Sequence, residues 1–315
     1  METEAAAIGI DFGGTTIKSA VVKNGAIIAR GDVIDTLAAP GSDALIAALI
    51  AEILRLKNIR KHIVALGIGL PGITDSIHGV VRQLSNVPGW RDVPLRDILR
   101  ERTGLHTAIE NDANAMAYAE WKFGAARGGR NVVCVTLGTG VGGGLILNGE
   151  LFRGSYLGAG EIGQMSIHHE GVPGNYGNFG AIEKYVGNAQ IAERAQKLFA
   201  EEKGERLSLD ECSPAELARR AESGDETARK LWQRIGTEIG AALANVVWLL
   251  NPDAIVIGGG IAKAGELLFE PIRRTIRART MPVFFENLQI VPAALGNDAG
   301  IIGSAAIALD TLADR

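Results

Sequence analysis

The order of apolar and polar positions predicts a chain that lays down strands before its first helix. "AIGIDFGG" and "IKSAVV" read as two strands joined through glycines, and "KNG" (23–25) is a hairpin signal leading into a third strand, "AIIARGDVI". "SDALIAALIAEILRL" has helical periodicity, with Ser42 or Asp43 as N-cap. A buried strand ending in a turn, "IVALGIGLPG", comes next. It is followed by a helix closed by Gly104, the strand "HTAIEND", and the helix "ANAMAYAEWKFG" closed by Gly124. The opening pattern then recurs at 131–154, where "NVVCVTLGTGVGGGLILNGELFRG" reads as strand, glycine turn, strand, Asn-Gly hairpin and strand. Laid over each other, the two hairpins place Asn24 and Asn148 one residue apart, which reads either as a duplicated architecture or as a chance likeness. The rest is mostly helical. "SPAELARRAE" carries a capping-box signature with Ser213 as N-cap, Pro214 next and Glu216 three residues on. A long apolar helix ends at "NPD", the strand "AIVIGGG" follows, and "GNDAGIIGSAAIALDTL" closes the chain as a small-residue helix. Strands alternating with helices give the α/β class.

Composition narrows the function. A length of 315 residues suggests about two domains and a large core that needs no disulfides. Cys134 lies in an apolar run and reads as buried, Cys212 in a charged segment and reads as exposed; neither belongs to a CxxC pair, which favours a reducing compartment. The formal charge of −4 gives no basic footprint for nucleic acid. The N-terminus is acidic where a signal peptide is basic, and "IGAALANVVWLL" (239–250) falls short of a membrane span, so a cytoplasmic protein is expected. Glycine is the outlier: 41 residues, nearly twice the usual ~7%.

The glycine clusters carry the candidate chemistry. "GIGLPG" (67–72) and "GTGVGG" (138–143) match a dinucleotide-binding spacing, but a Pro-Gly turn closes the first and a hairpin follows the second, so neither opens the helix that motif needs. Glycine turns between strands still bind phosphate, because backbone approaches the anion closely and successive N–H groups form a nest. "DFGGTT" adds Thr15 and Thr16 to Gly13 and Gly14, and "LGTG" adds Thr139 to Gly138 and Gly140. Asp11 beside the first loop makes sense with Mg²⁺ between carboxylate and phosphate. Ordinary hairpin turns are the plainer reading of either loop alone. In "ENDANA" (110–115), Asp112 reads either as a helix N-cap or as a general base.

Taken in order, "IDFGGTTIK", "GLPGITD", "ENDANAMAYAE", "TLGTGVGGGLILNGELFRG" and "GAGEIG" resemble the ROK family of bacterial sugar kinases and repressors. The resemblance implies the actin-like ATPase and hexokinase fold: two RNase H-like α/β domains around a central cleft. Residues 1–118 would form the small domain, completed by a C-terminal helix at 298–315, and 119–297 the larger one. ATP phosphates would lie on Gly13, Gly14, Thr15 and Thr16 and on Gly138, Thr139 and Gly140, with Gly258, Gly259 and Gly260 near the adenosine. Asp11 would hold Mg²⁺ through water. Asn111, Asp112, Glu161 and Glu183 would bind sugar hydroxyls, with Gly72, Ser85 and Asn86 on the small-domain side as a weaker carry-over. Asp112 would take the proton from the 6-hydroxyl of a hexose, glucose first. Fructose, mannose or an N-acetylhexosamine as acceptor, polyphosphate as donor, and a non-catalytic sugar sensor are the alternatives. A homodimer is expected from the resemblance alone. The family's repressors carry a DNA-binding segment ahead of the first phosphate loop; with about ten residues before Asp11, a kinase and not a repressor is expected.

The stretch "EIGQMSIHHEGVPGNYGNFGAIEKY" (161–185) looks like a metal site and departs from the family's zinc pattern. Gln164 stands where an ExGH motif has its histidine, and Gly174, Tyr176 and Ala181 stand where a CxCGxxGCxE loop has its cysteines. No zinc is expected. His168 and His169 read as solvated, Tyr176 and Phe179 as packing in the ion's place, and Gln164 as a donor and acceptor toward the sugar.

Overall fold

The computed structural model describes residues 5–38, 41–84, 87 and 89–314; Ser85 and Asn86, expected on the sugar side, lie outside them. The chain runs β1 (Ala6–Phe12), β2 (Thr16–Lys23), β3 (Ala26–Arg30), β4 (Ile34–Asp35), α1 (Gly41–Ile59), β5 (Ile63–Leu70), β6 (Ile73–Asp75), β7 (Val80–Gln83), β8 (Arg91–Val93), α2 (Leu95–Thr103), β9 (His106–Asn111) and α3 (Asp112–Lys122). The second half follows with β10 (Val132–Leu137), β11 (Val141–Leu147), β12 (Glu150–Phe152), α4 (Glu183–Val186), α5 (Asn188–Lys203), α6 (Pro214–Glu222), α7 (Glu226–Leu250), β13 (Ala254–Gly258), α8 (Glu266–Arg279), α9 (Pro282–Phe285), β14 (Gln289–Pro292) and α10 (Ala299–Ala313).

Two sheets of the same plan result. The first has the order β3-β2-β1-β5-β9 with β4 also on β2; the second has β12-β11-β10-β13-β14. In each, an antiparallel hairpin pair leads into parallel strands. Both hairpins turn on Asn-Gly with positive φ at each residue (50° and 75° at Asn24-Gly25, 56° and 80° at Asn148-Gly149), the geometry a two-residue hairpin turn requires. The duplication reading therefore holds at the level of turn chemistry. Parallel register brings the carboxyl ends of β1, β5 and β9 side by side: Asp11 pairs with Gly69, Gly69 with Glu110 and Leu70 with Asn111. In the second sheet Thr136 pairs with Gly258, so the loop after β10 lies beside the loop after β13. Strand carboxyl ends are where α/β sheets place ligands.

α3 and α10 fill the space between the sheets. A Cβ on Gly67 of β5 would sit 1.7 Å from the Ser304 carbonyl oxygen of α10, so only glycine lets that helix lie directly on the sheet. α3 meets β11 in a similar way, a Cβ on Gly144 falling 2.6 Å from Ala117 Cβ. In its last turn, the fully buried Glu120 accepts N–H bonds from Ala125 (2.9 Å), Ala294 (3.0 Å) and Leu295 (2.8 Å), tying the segment after α3 to the one before α10. A carboxylate bonded three times by backbone amides repays much of its burial.

Several local expectations are corrected. The third strand breaks at Gly31–Val33 into β3 and β4, where Glu52 from α1 reaches in to accept the Asp32 N–H. α1 begins at Gly41, which puts Ser42 and Asp43 inside its first turn and not at the cap. Ser213 occupies the cap position of α6 but makes no side-chain cap bond, and Glu216 pairs with Arg219 instead. Cys212 is fully buried, with Phe199, Leu217 and Ala221 in the second sheet's core, although the charged residues around it in sequence pointed outward. Among the described residues no helix is long and apolar enough to cross a membrane.

Candidate active site between the two sheets

The head of α3 organises the site. Asn111, not Asp112, is the N-cap: its Oδ1 accepts the N–H groups of Ala113 (3.0 Å) and Asn114 (3.2 Å). Asp112 is the first helical residue, so its carboxylate is released from capping a distant amide and accepts only the adjacent Ala113 N–H at 2.8 Å. Burial, then the charges of Asp11 and Glu161, push Asp112 from its ordinary 3.8 up to about 6, against the lowering effect of the Ala113 N–H. Asp11, at the end of β1, is also raised by burial, with Lys18 across the hairpin opposing the shift. Glu161 is raised by desolvation and by Glu183. Raised carboxylates such as these are relieved by a bound cation or polyhydroxyl ligand, and Glu161, one of the three, lines a hollow.

The hollow is walled on one side by Gly72, Ile73 and Thr74, on the other by Tyr156 to Ala159, with Asn111, Asn114, Gly143 and Glu161 between. Of the expected sugar contacts it brings together Gly72, Asn111 and Glu161; Asn111 Nδ2 reaches the Gly72 carbonyl at 3.4 Å. Asp112, Gln164 and Glu183 stand outside this wall. Glu183 accepts the Val141 N–H at 2.9 Å and a long 3.4 Å bond from Gln164 Nε2, so it braces the second glycine loop from below. Two lining residues escaped the sequence reading. Thr74 and Asn114 are almost fully buried, and Thr74 Oγ1 and Asn114 Oδ1 have no hydrogen-bond partner. Asn114 donates its amide to Glu110 at 3.0 Å, which fixes the flip and turns Oδ1 away from the carboxylate. Its place one helical turn after Asn111 in "ENDANA" was the signal available; nothing in "SYLGA" marked the loop at 155–159.

The two glycine loops follow β1 in the first sheet and β10 in the second. Within the first, Gly13 N–H closes on Thr16 O (3.0 Å), and Thr36 ties the turn through bonds to Gly13 O and Thr15 O. Within the second, Gly138 N–H closes on Gly140 O (3.0 Å). Both amides are thus spent on shaping the turns. A Cβ at Gly14 or Gly138 would meet nothing within 4 Å, so these glycines are open to a ligand and not required by packing. At the third cluster Gly259 has φ 89° and a Cβ there would strike Leu137 O at 2.2 Å, so it is structural, whereas Gly260 is open. A Cβ on Gly300, near the head of α10, would lie 3.2 Å from Asp11 Cγ, so that helix closes over the carboxylate.

The loop at 165–182 keeps its shape through amide and hydroxyl bonds. Asn178 donates to Gln164 O (3.1 Å), its carbonyl accepts the Gly174 N–H (2.7 Å), Ser166 Oγ donates to Phe179 O (2.7 Å), and Tyr185 Oη accepts the Val172 N–H (2.9 Å). Tyr176 is 81% exposed and Phe179 50%, so they do not pack inside; polar bonds from Asn178 and Tyr185 stabilise the turn in their stead. His168 and His169 are exposed. No cluster of three or more His, Cys, Asp or Glu suited to a metal ion occurs among the described residues.

The model of the ROK family matches residues 7–311. The glucokinase of Halalkalibacterium halodurans is 37% identical over 94% of this chain and 92% of its own length. A ROK family glucokinase from Streptomyces griseus, solved with glucose and AMPPNP, superposes with TM-score 0.82 at 31% identity over 97% of this chain and all of its own. The ROK hexokinase of Thermus thermophilus gives 0.84 at 31% identity over 98% of this chain and all of its own.

Proposed function

The chain belongs to the ROK family, and on that premise we propose that it is an ATP-dependent hexose kinase that phosphorylates the 6-hydroxyl of glucose. The observation that carries the reading is Asp112, freed from capping and raised to about 6, at the head of a helix packed between the two sheets. The names and bound ligands of similar proteins support it.

Asn111, Glu161 and the backbone at Gly72 orient the hexose, with Glu183 and Gln164 contributing from behind once the cleft closes. Asp112 accepts the proton of the attacking hydroxyl as the new P–O bond forms, an effect worth ~10²–10⁴-fold. The open faces of Gly14 and Gly138, with Thr15, Thr16, Thr139 and Gly140, hold the phosphates in line. The Gly258–Gly260 turn, beside the second loop, faces the nucleoside. Asp11 is the residue that would hold Mg²⁺ through water, a fit supported by a carboxylate disfavoured by burial and closed over by α10. The ion, when bound, neutralises phosphate charge. Zinc is no part of this reading, because Gln164, Gly174, Tyr176 and Ala181 offer neither a thiolate nor an imidazole. We carry the same reading to the setting: a cytoplasmic homodimer with no nucleic-acid or membrane partner, in keeping with a charge of −4.

The test is ADP release with Mg-ATP over glucose, mannose, fructose and N-acetylhexosamines, with zinc chelated. Turnover strongest on glucose is expected. Absence of turnover on every hexose would refute the reading.

A further inference from the structure

Glu110 is 3% exposed and is assigned no contact with substrate, yet it is bonded by residues from both sheets. Its Oε1 accepts the Asn111 N–H and the Asn114 Nδ2 amide, each at 3.0 Å, which fixes the turn that leads into α3. Its Oε2 accepts Arg153 Nε–H at 2.7 Å, from the end of β12 in the other sheet. Arg153 in turn closes the loop facing the hexose, since its carbonyl accepts the Ala159 N–H at 3.0 Å. That loop holds left-handed backbone at Gly154 (φ 73°), Leu157 (φ 62°) and Gly160 (φ 92°), and Leu157 pays a strain that glycine does not. A segment so bent keeps its place only when its surroundings impose it, and the part-buried ion pair is anchored at the residue just before it.

We propose that Glu110 and Arg153 form a positioning pair, which sets the hexose-facing loop 154–160 against the Asn111–Asp112 turn without touching the substrate. The inference rests on the hexose-kinase reading and names the contact through which that site selects its acceptor. One carboxylate registers both the helix head that carries the base and the loop that walls the sugar. Breaking it lets the two walls move apart, whereas the glycine loops that face the nucleotide are built from other elements. A misplacement of ~1 Å in such a site costs about 10²-fold in rate.

The experiment compares wild type with Arg153→Met, Glu110→Gln, the double variant and Arg153→Lys, measuring KM for glucose and for Mg-ATP separately, with melting curves alongside. Arg153→Met should lose about 10²-fold in kcat/KM for glucose, mostly as a higher KM for the sugar, with KM for Mg-ATP within about twofold. Glu110→Gln keeps an acceptor for Asn111 and Asn114 but turns a donor toward Arg153, and should show the same pattern. The double variant should be no worse than the worse single one, because both remove one interaction. Arg153→Lys, which keeps the charge, should recover part of the loss. Unchanged sugar kinetics in folded Arg153→Met, an equal rise in both KM values, or additive losses would overturn the proposal. Should Arg153→Met fail to fold, Arg153→Lys carries the test, since wild-type sugar KM there refutes a bond that depends on guanidinium geometry. A wild-type chain inactive on every hexose removes the premise and the pair with it, a result distinct from an active wild type indifferent to these substitutions.

Discussion

Asp112→Asn should make the protein more stable and inactive at once. Ionised Asp112 is disfavoured in the fold: its value rises from 3.8 to about 6 because burial outweighs the single N–H it accepts. At about 1.4 kcal/mol per tenfold this is roughly 3 kcal/mol, and partial exposure of the carboxylate trims it to about 2 kcal/mol. The sign follows from proton counting. Between 3.8 and about 6 the folded chain binds more protons at this site than the unfolded one, so the site's contribution grows less favourable as pH rises. The penalty is full above about 6 and absent below about 4. Asparagine keeps the acceptor for Ala113 and carries no charge.

Melting of wild type and Asp112→Asn, without nucleotide or metal, at pH 7.5 and again near pH 4.5, reads the effect directly. The variant should melt a few degrees higher at pH 7.5, and the gap should shrink toward the acid side while other titrations cancel in the difference. Turnover should fall by ~10²–10⁴-fold with sugar affinity kept. A variant less stable than wild type at pH 7.5, or a gap indifferent to pH, would refute the account of a strained carboxylate. Near-normal kcat would refute its role as base.

The remaining expectations follow from the same geometry. The acid limb of kcat/KM against pH should have its midpoint near 6, falling as pH drops and Asp112 takes up its proton; a profile flat down to pH 5 contradicts this. Gly138→Ala, which meets nothing in the fold, should leave the melting temperature unchanged and raise KM for Mg-ATP several-fold, as measured by initial rates at saturating glucose. Elemental analysis should find no stoichiometric zinc, and chelation should alter neither melting nor turnover. Glu120→Ala leaves three part-buried amides without their acceptor and should cost about 3 kcal/mol in denaturant unfolding.

How far the sequence could be read depended on how local the physics was. The two Asn-Gly hairpins, the helix stop at Gly104 (φ 70°) and the strand ends carrying Asp11 and the glycine loops are set by neighbours a few residues away, and they were legible. Cys212 was not: its burial is decided by Phe199, Leu217 and Ala221 arriving from other elements, against the polarity of its own segment. The loop at 165–182 failed in an instructive way. Its glycines were read correctly as turn-formers, since Gly177 and Gly180 have φ of 78° and 69°, but its filling was assigned to aromatics on the assumption that a lost ion is replaced by apolar bulk. A surface loop of this kind is cheaper to hold with amide bonds, because its carbonyls need donors whether or not a metal is present, and Asn178 supplies one. The same reasoning accounts for Glu110. Adjacency to Asn111 hid it inside a motif read for its neighbours, and only the register of β5 with β9 and the return of Arg153 from the second sheet reveal a carboxylate bonded by both walls of the site. Side chains that act on substrate leave local signatures; those that hold two elements in register leave half their signature in each.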